Sequence, residues 1–235
     1  MLRKNKTTRV LWRKAIAGLV LAWALGPVLW QCGAPQDEWH RQVFTDSTPQ
    51  YSLRAEFPVF AGYPQANKAV QQKILEEIAS FERNAIAYCA RDNAIPYGQT
   101  RMEAFAEVLA CGPGLLSVRW VVYADWQSSD MTSKYFATWN YNPRKGKQIT
   151  LADYAARHFG SDSAAARYFT QAVAQKLVPR SGAYCAGIWR NRHPLHDFAD
   201  FYLRPGRIQF IFDDYILETE TCGTPEVVIA APPTK

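Results

Sequence analysis

The sequence lacks the short motifs that identify common enzyme classes. It contains no Gly-x-Ser-x-Gly elbow, no phosphate-binding P-loop and no nucleotide-binding glycine pattern. It has no C-x-x-C pair, which removes support for a redox motif or a zinc ribbon. Internal repeats and low-complexity stretches are absent as well. A catalytic triad whose members are far apart in sequence is left open by these absences.

Most of the chain also lacks an excess of positive charge, although its 235 residues carry a formal net charge of +6. Six of the 27 basic residues lie in the first fourteen positions, where there is no acidic residue. The rest of the chain therefore has as many basic residues as the 21 acidic ones. A basic surface of the kind that binds DNA or RNA is not predicted, and we expect no nucleic-acid partner.

Residues 1–31 are predicted to be a signal or anchor segment. The basic N-terminus is followed by 15–31, which has no charged residue, and this order is typical of export signals. The run ends at Leu29-Trp30-Gln31-Cys32, which resembles a bacterial lipoprotein signal with Leu three residues before the modified Cys. We predict lipidation of Cys32, with an uncleaved membrane anchor as the alternative. Both place the protein in the cell envelope, periplasmic or surface-facing, and residues 32–50 are interpreted as a tether.

Residues 51–235 are predicted to form a single α+β domain, with halves at 51–147 and 148–235. Alternation of apolar and polar residues predicts strands, and three- and four-residue steps predict helices. The predicted strands are 51–59, 102–110, 115–126, 134–141, 201–203, 208–212 and 227–229. A long helix is predicted from Gln65 to Tyr88, and a second from Ser163 to Leu177, ending before Pro179. Thr150 and Asp153 indicate a capped helix start. We expect a mostly antiparallel sheet with the long helix and the second helix packed on one face.

Apart from Cys32, the chain has four cysteines, an even number that suits two disulfides in an exported protein. Four unpaired thiols are the alternative. If the first strand runs up, the long helix runs down and places Cys89 at the bottom. The next strand then runs up and places Cys111 at the top, so Cys89 and Cys111 are too far apart to form a disulfide. The second helix brings Cys185 down as well. This polarity favours Cys89–Cys185 and Cys111–Cys222.

Three segments together resemble the extracytoplasmic domain of the anti-sigma factor RsiV. They are 148–154 after an aromatic strand, 200–215 with its Arg204-Pro205-Gly206-Arg207 turn, and 223–229. The same module precedes the catalytic domain of some peptidoglycan deacetylases and occurs alone in envelope lipoproteins. The resemblance covers about 180 residues, and its motifs are patterns of strand and turn, not catalytic signatures.

The resemblance implies a binding role without catalysis. The RsiV module captures lysozyme, and the segment after its penultimate strand lies where lysozyme docks. By this resemblance the ligand-binding residues are Phe212, Asp213, Asp214 and Tyr215, with Asp214 in the position where the family has Pro. Asp213, Asp214, Glu218 and Glu220 form a local acidic patch, which could steer a cationic muramidase. A solvated loop with turn-forming Asp residues is the alternative interpretation.

Other polar and aromatic groups are candidates for metal, catalytic or sugar-binding sites. His193, His196 and Asp197 could suggest metal ligands, but Pro194 argues against a regular helix carrying both imidazoles, so a surface loop is favoured. The pairs Glu76–Glu77 and Glu103–Glu107 could be wall-hydrolase carboxylates. A sugar-stacking platform or, more simply, a packed sheet face could be formed by aromatic residues of the central strands: Trp120, Trp126, Tyr135, Trp139 and Tyr141.

The sequence thus predicts an exported, membrane-tethered binding module that is not an enzyme and needs no metal or cofactor. Its predicted partner is a lysozyme-like muramidase, in a receptor, inhibitor or immunity role, or peptidoglycan. The alternative is a periplasmic wall-modifying enzyme with an active site that has no sequence signature.

Overall fold

The residues that the structure describes form nine strands in two sheets, together with three α-helices. The computed structural model describes residues 39–91, 100–125, 132–188, 193–212 and 226–231. A six-stranded sheet has the order β1-β2-β3-β4-β5-β6, and a three-stranded sheet has the order β7-β8-β9. The strands are β1 Trp39–Ser47, β2 Tyr51–Phe60, β3 Thr100–Gly112, β4 Leu115–Asp125, β5 Thr132–Asn142, β6 Lys147–Gln148, β7 Phe201–Arg204, β8 Arg207–Ile211 and β9 Glu226–Ala230. The helices are α1 Pro64–Arg91, α2 Leu151–Phe159 and α3 Asp162–Ile188, with a 3₁₀ helix at Leu195–Phe198.

The long helix α1 connects the only parallel neighbours in the six-stranded sheet. β2 and β3 run parallel, whereas the other neighbouring strands described in both sheets are antiparallel. A parallel pair requires a crossover connection, and the helix supplies it. The predicted polarity of the first strand, the long helix and the next strand is therefore confirmed.

The first core lies between α1 and one face of the six-stranded sheet. The alternation in β4 places Leu116, Val118, Trp120 and Val122 on this face, and each is completely buried. From α1 the helical period contributes Val70, Ile74 and other buried residues. The indole Nε1 of Trp120 donates a hydrogen bond of 2.7 Å to the Glu56 carbonyl, so the ring is buried without an unpaired donor.

The second core lies between the three-stranded sheet and the helices α2 and α3. Thr150 caps α2 as predicted: its Oγ1 accepts from the Asp153 backbone N–H, and the Asp153 carboxylate accepts from the Thr150 N–H. α2 ends at Gly160, whose φ of 79° is the left-handed conformation that glycine adopts readily. The centre of this core is a group of buried aromatic rings: Phe169, Phe198, Phe210 and Phe212.

Buried polar groups join the two sheets. The Asn140 side chain of β5 donates to the Phe201 carbonyl at 2.9 Å and accepts from the Leu203 N–H at 2.9 Å. Ser117 of β4 donates to the same Asn140 oxygen at 2.8 Å. Beside them Tyr202 and Ile211 pack on Phe136, which lies on the sheet face opposite to α1. The three-stranded sheet therefore covers part of that opposite face.

The predicted α+β fold class is confirmed, and three details differ from the sequence expectations. The strands form two sheets, with α1 on the larger sheet and α3 on the smaller one. The segment 32–50, predicted as a tether, contains β1, which pairs along its whole length with β2. The second predicted helix does not end before Pro179, because α3 continues to Ile188. Proline removes one N–H donor and crowds one carbonyl, but the residues after it can still be helical.

All described residues belong to one compact unit, Gln31–Lys235. Among the helices described in it, none combines the length and apolar character needed to cross a bilayer. The predicted signal or anchor segment and Cys32 lie outside the described residues.

Candidate functional site

The predicted ligand-binding segment lies between β8 and β9 in the chain. Ile211 and Glu226 are directly paired across these two strands, so the segment 213–225 begins and ends at neighbouring points. Phe212 is completely buried and packs against Phe198 and Phe210, so its side chain belongs to the core. Asp213, Asp214 and Tyr215 lie outside the described residues. We call residues 213–225 the acidic connection, because it contains four carboxylates and no basic residue.

A charged cluster holds the point where the acidic connection returns. The guanidinium of Arg119 on β4 lies between the carboxylates of Glu107 and Glu226 and bonds both. Glu226 also accepts from the Tyr202 hydroxyl at 3.0 Å and from the Gln209 amide. Glu226 therefore bonds residues of both sheets, and the cluster fixes the first residue of β9 against the larger sheet.

The pKa shifts in the cluster follow from burial and from the two carboxylates around Arg119. Burial lowers the pKa of Arg119, but the hydrogen bond with Glu107 and the charge of Glu226 outweigh it, so the pKa lies above its usual value. Burial, and then the neighbouring Glu226 carboxylate, raises the pKa of Tyr202. Arg119 stays charged and Tyr202 stays protonated at neutral pH. Sequence analysis missed this cluster, because its members come from β3, β4, β7, β8 and β9 and only the fold brings them together.

His193 and His196 both contact the carboxylate of Asp197. His193 Nδ1 lies 2.9 Å from one oxygen of Asp197, and His196 Nε2 lies 3.2 Å from the other. The His196 side chain is 83% exposed, whereas that of His193 is only 15% exposed. Within the described ranges no group of three or more His, Cys, Asp or Glu residues is placed to hold a metal ion. The 3₁₀ helix that carries His196 fits the predicted surface loop.

The acidic pairs considered as hydrolase carboxylates each have a local partner. Glu77 bonds Lys73 one turn earlier on α1, and Glu76 accepts from Gln72. On β3, Glu103 pairs with Arg101 and Glu107 with Arg119. These contacts are those of helix- and sheet-surface ion pairs.

The aromatic residues of the central strands divide between the two faces of the sheet. Trp120, Trp139 and Tyr141 are at most 4% exposed and pack under α1, so the packed-face interpretation is confirmed for them. Tyr135 is partly buried against the same core, and Trp126 lies outside the described residues. The opposite face carries Phe105 and Tyr123, which touch edge to face with ring centres 6.1 Å apart. Sequence analysis did not single out this second pair.

The cysteine pairing stays a prediction. Cys89 is near the end of α1, Cys111 is near the end of β3, and Cys185 is near the end of α3. Cys222 lies outside the described residues, as Cys32 does.

The chain is an α+β domain in which a curled six-stranded sheet carries a second small sheet, and two solved structures share this arrangement. One is a DUF3298 family protein from Pseudomonas aeruginosa PAO1, with 16% identity and a TM-score of 0.59 over 84% of this chain and 92% of that one. The other is a DUF3298 family member from Bacteroides fragilis NCTC 9343, with 10% identity and a TM-score of 0.53 over 83% and 91%. At these identities the likeness shows the fold alone. DUF3298 is a family related to RsiV-like domains. No family model and no curated protein matches the sequence.

Proposed function

We propose that this chain is an exported, membrane-tethered, non-catalytic binding module of the cell envelope. Its ligand is a lysozyme-like muramidase, which it binds as a receptor, inhibitor or immunity protein; peptidoglycan is the other ligand class. The N-terminal segment holds it at the membrane, through lipidated Cys32 or as an anchor. The resemblance to the RsiV domain and the likeness to DUF3298 structures support a binding module.

The observation that carries the proposal is the attachment of the acidic connection to a rigid frame. The register Ile211–Glu226 and the buried Phe212 fix both ends of the connection. The Arg119 cluster adds a second attachment at Glu226. Between these two attachments the chain carries four carboxylates and no basic residue. Lysozymes are generally cationic, so this charge speeds their association and orients them.

The test is calorimetric titration of the full chain, purified in mild detergent, with a purified lysozyme. We expect a one-to-one complex of micromolar affinity or tighter. Tyr215→Ala should weaken it by about tenfold, or 1.4 kcal/mol, as loss of a central interface tyrosine does. The double substitution Asp213→Asn/Asp214→Asn should weaken the complex and reduce the dependence of its affinity on ionic strength, because less negative charge then attracts the cationic partner.

A matched control removes the same two charges elsewhere. Glu76→Gln/Asp162→Asn changes exposed carboxylates on α1 and α3 and should leave the affinity unchanged. The proposal of a muramidase ligand is wrong if no complex forms, or if Tyr215→Ala and the Asp213/Asp214 variant bind as tightly as the control.

A further inference from the structure

Among the described residues, the three-stranded sheet covers only part of the face of the six-stranded sheet opposite to α1. Near the starts of β3 and β5 it carries a row of four side chains at directly paired positions on adjacent strands. Arg54 pairs with Glu103, Glu103 with Tyr123, and Tyr123 with Lys134. Neighbouring strands lie about 4.8 Å apart, so this row spans roughly 14 Å. We call these four residues together with Phe105 the outer-face strip.

At each end of the strip a cation contacts an aromatic ring. The guanidinium carbon of Arg54 lies 5.6 Å from the centre of the Phe105 ring, which touches Tyr123. The Lys134 Nζ lies 6.0 Å from the Tyr123 ring and 5.4 Å from that of Phe136. Tyr123 is 37% exposed, the Arg54 side chain is 40% exposed, and Lys134 is exposed. The rings hold the cations close to the sheet while the charged ends stay accessible to solvent.

The charged side chains of the strip differ in whether they have an oppositely charged partner. Arg54 bonds the buried carboxylate of Glu56, and Glu103 bonds the exposed Arg101. Lys134 contacts aromatic rings but has no carboxylate partner among the described residues. Its ammonium group is therefore the cation of this face that is best placed to take a carboxylate from a ligand.

We propose that the outer-face strip binds an anionic glycan strand that carries carboxylates. Lys134 and Arg54 pair with the carboxylates, Tyr123 and Phe105 provide apolar surface for the sugar rings, and Glu103 accepts hydrogen bonds from sugar hydroxyls. The choice of wall glycan as the source rests on the proposed envelope location.

The composition of the strip favours a glycan over other polyanions. Glu103 stands between Arg54 and Tyr123 in the row, where it would repel the closely spaced phosphates of a nucleic acid. A lipid surface requires a broad exposed apolar area with basic residues around it. Among the described residues on this face, Val43 is the large aliphatic side chain with substantial exposure, at 43%.

The test measures binding of the full chain in mild detergent to two matched glycans. The first is a peptidoglycan glycan strand freed of its stem peptides, so that its lactyl carboxylates are exposed. The second is a chito-oligosaccharide of similar length, which has N-acetylated sugars but no carboxylate. We expect the carboxylated strand to bind at least about tenfold more tightly, equivalent to 1.4 kcal/mol.

Matched substitutions locate the site. Tyr123→Ala and Lys134→Gln should each weaken binding of the carboxylated strand by about tenfold or more. The controls are Tyr168→Ala, because Tyr168 is also 37% exposed and contacts aromatic rings, and Lys145→Gln in an exposed turn. Both controls should retain wild-type affinity. Lys134→Gln should also remove most of the preference over chito-oligosaccharide.

Four outcomes overturn the inference. The first three are no binding of either glycan, equal binding of both, and equal loss of binding in the strip and control variants. The fourth is that the strip substitutions weaken binding of the chain to anionic phospholipid vesicles but leave glycan binding unchanged. The last result would assign the strip to a membrane surface. Lysozyme titration of Tyr123→Ala separates this inference from the proposed function, because this variant should bind lysozyme with wild-type affinity. Glycan binding should likewise be unaffected by Asp213→Asn/Asp214→Asn.

Discussion

Asn140 is the residue whose removal should do most damage to the junction between the two sheets. Its amide is 2% exposed and makes one hydrogen bond to the Phe201 carbonyl and one from the Leu203 N–H. In Asn140→Ala the Phe201 carbonyl loses this donor and the Ser117 hydroxyl loses its acceptor, both in buried positions. The Leu203 N–H keeps the Ser117 hydroxyl as an acceptor, at the longer distance of 3.3 Å.

The expected loss of stability follows from the buried hydrogen bonds that each substitution removes. One orphaned buried carbonyl costs about 1–3 kcal/mol, so Asn140→Ala should destabilise the domain by about 2–3 kcal/mol. Ser117→Ala should cost only about 1 kcal/mol, because the Leu203 N–H keeps the Asn140 oxygen at 2.9 Å. Asn140→Asp should be the most severe, since it sets a carboxylate against the Phe201 carbonyl in a buried site.

Urea unfolding measures these differences, with the midpoint shifted and the slope unchanged. Thr138→Ala, two residues earlier on the same strand and only half-buried, is the control and should change stability by no more than about 0.5 kcal/mol. The reasoning is refuted if Asn140→Ala is no more destabilising than Thr138→Ala. It is also refuted if Ser117→Ala costs more than Asn140→Ala.

Three further predictions concern the ends of α2. Thr150→Ala should cost about 1 kcal/mol by removing the cap, and Thr150→Ser should recover most of it in the same urea assay. The hydrogen bond from Lys147, followed by those from Thr150, lowers the pKa of Asp153, so the stability that Asp153 contributes is present above its unfolded pKa. The difference between wild type and Asp153→Asn should therefore exist at pH 7 and shrink as the pH falls below about 4 toward the lowered pKa; a difference that is constant down to pH 2 would contradict this. At the other end, Gly160→Ala should cost about 1 kcal/mol, because φ is positive there and a Cβ meets no other atom. Gly114→Ala, also in open space but without a positive φ, is its control and should be nearly neutral in thermal unfolding; equal losses would show that backbone strain is not the cause.

Local patterns in the sequence were enough to predict most elements of this fold. The alternation in β3, β4 and β5 and the helical period of α1 each report which side of one element is buried. They therefore gave the strand pairs, the crossover helix and the capped start of α2 at Thr150. The division into two sheets was not predictable in this way. Ser117 and Asn140 occupy polar positions of their strands, and alternation does not distinguish a polar face that meets water from one that meets another backbone.

The strand β1 and the charged cluster escaped prediction for different reasons. β1 is an edge strand whose residues are mostly half-buried or exposed, so its side chains give little apolar alternation. Its formation depends on the backbone partners that β2 offers. The charge of the acidic connection could be read from the sequence, but its attachment through Arg119 could not, because Glu107, Arg119, Tyr202 and Glu226 are far apart along the chain.

The pairing of Ile211 with Glu226 has a consequence for how this fold can diversify. The thirteen residues from 213 to 225 close on a strand pair that the rest of the domain already holds in place. The entropy of closing such a connection grows slowly, by about 0.6 kcal/mol for each doubling of its length. Insertions, deletions and wholesale replacement of this stretch should therefore cost the domain little stability. Proteins built on the same two sheets can then carry different segments at this point, and a shared architecture need not mean a shared ligand.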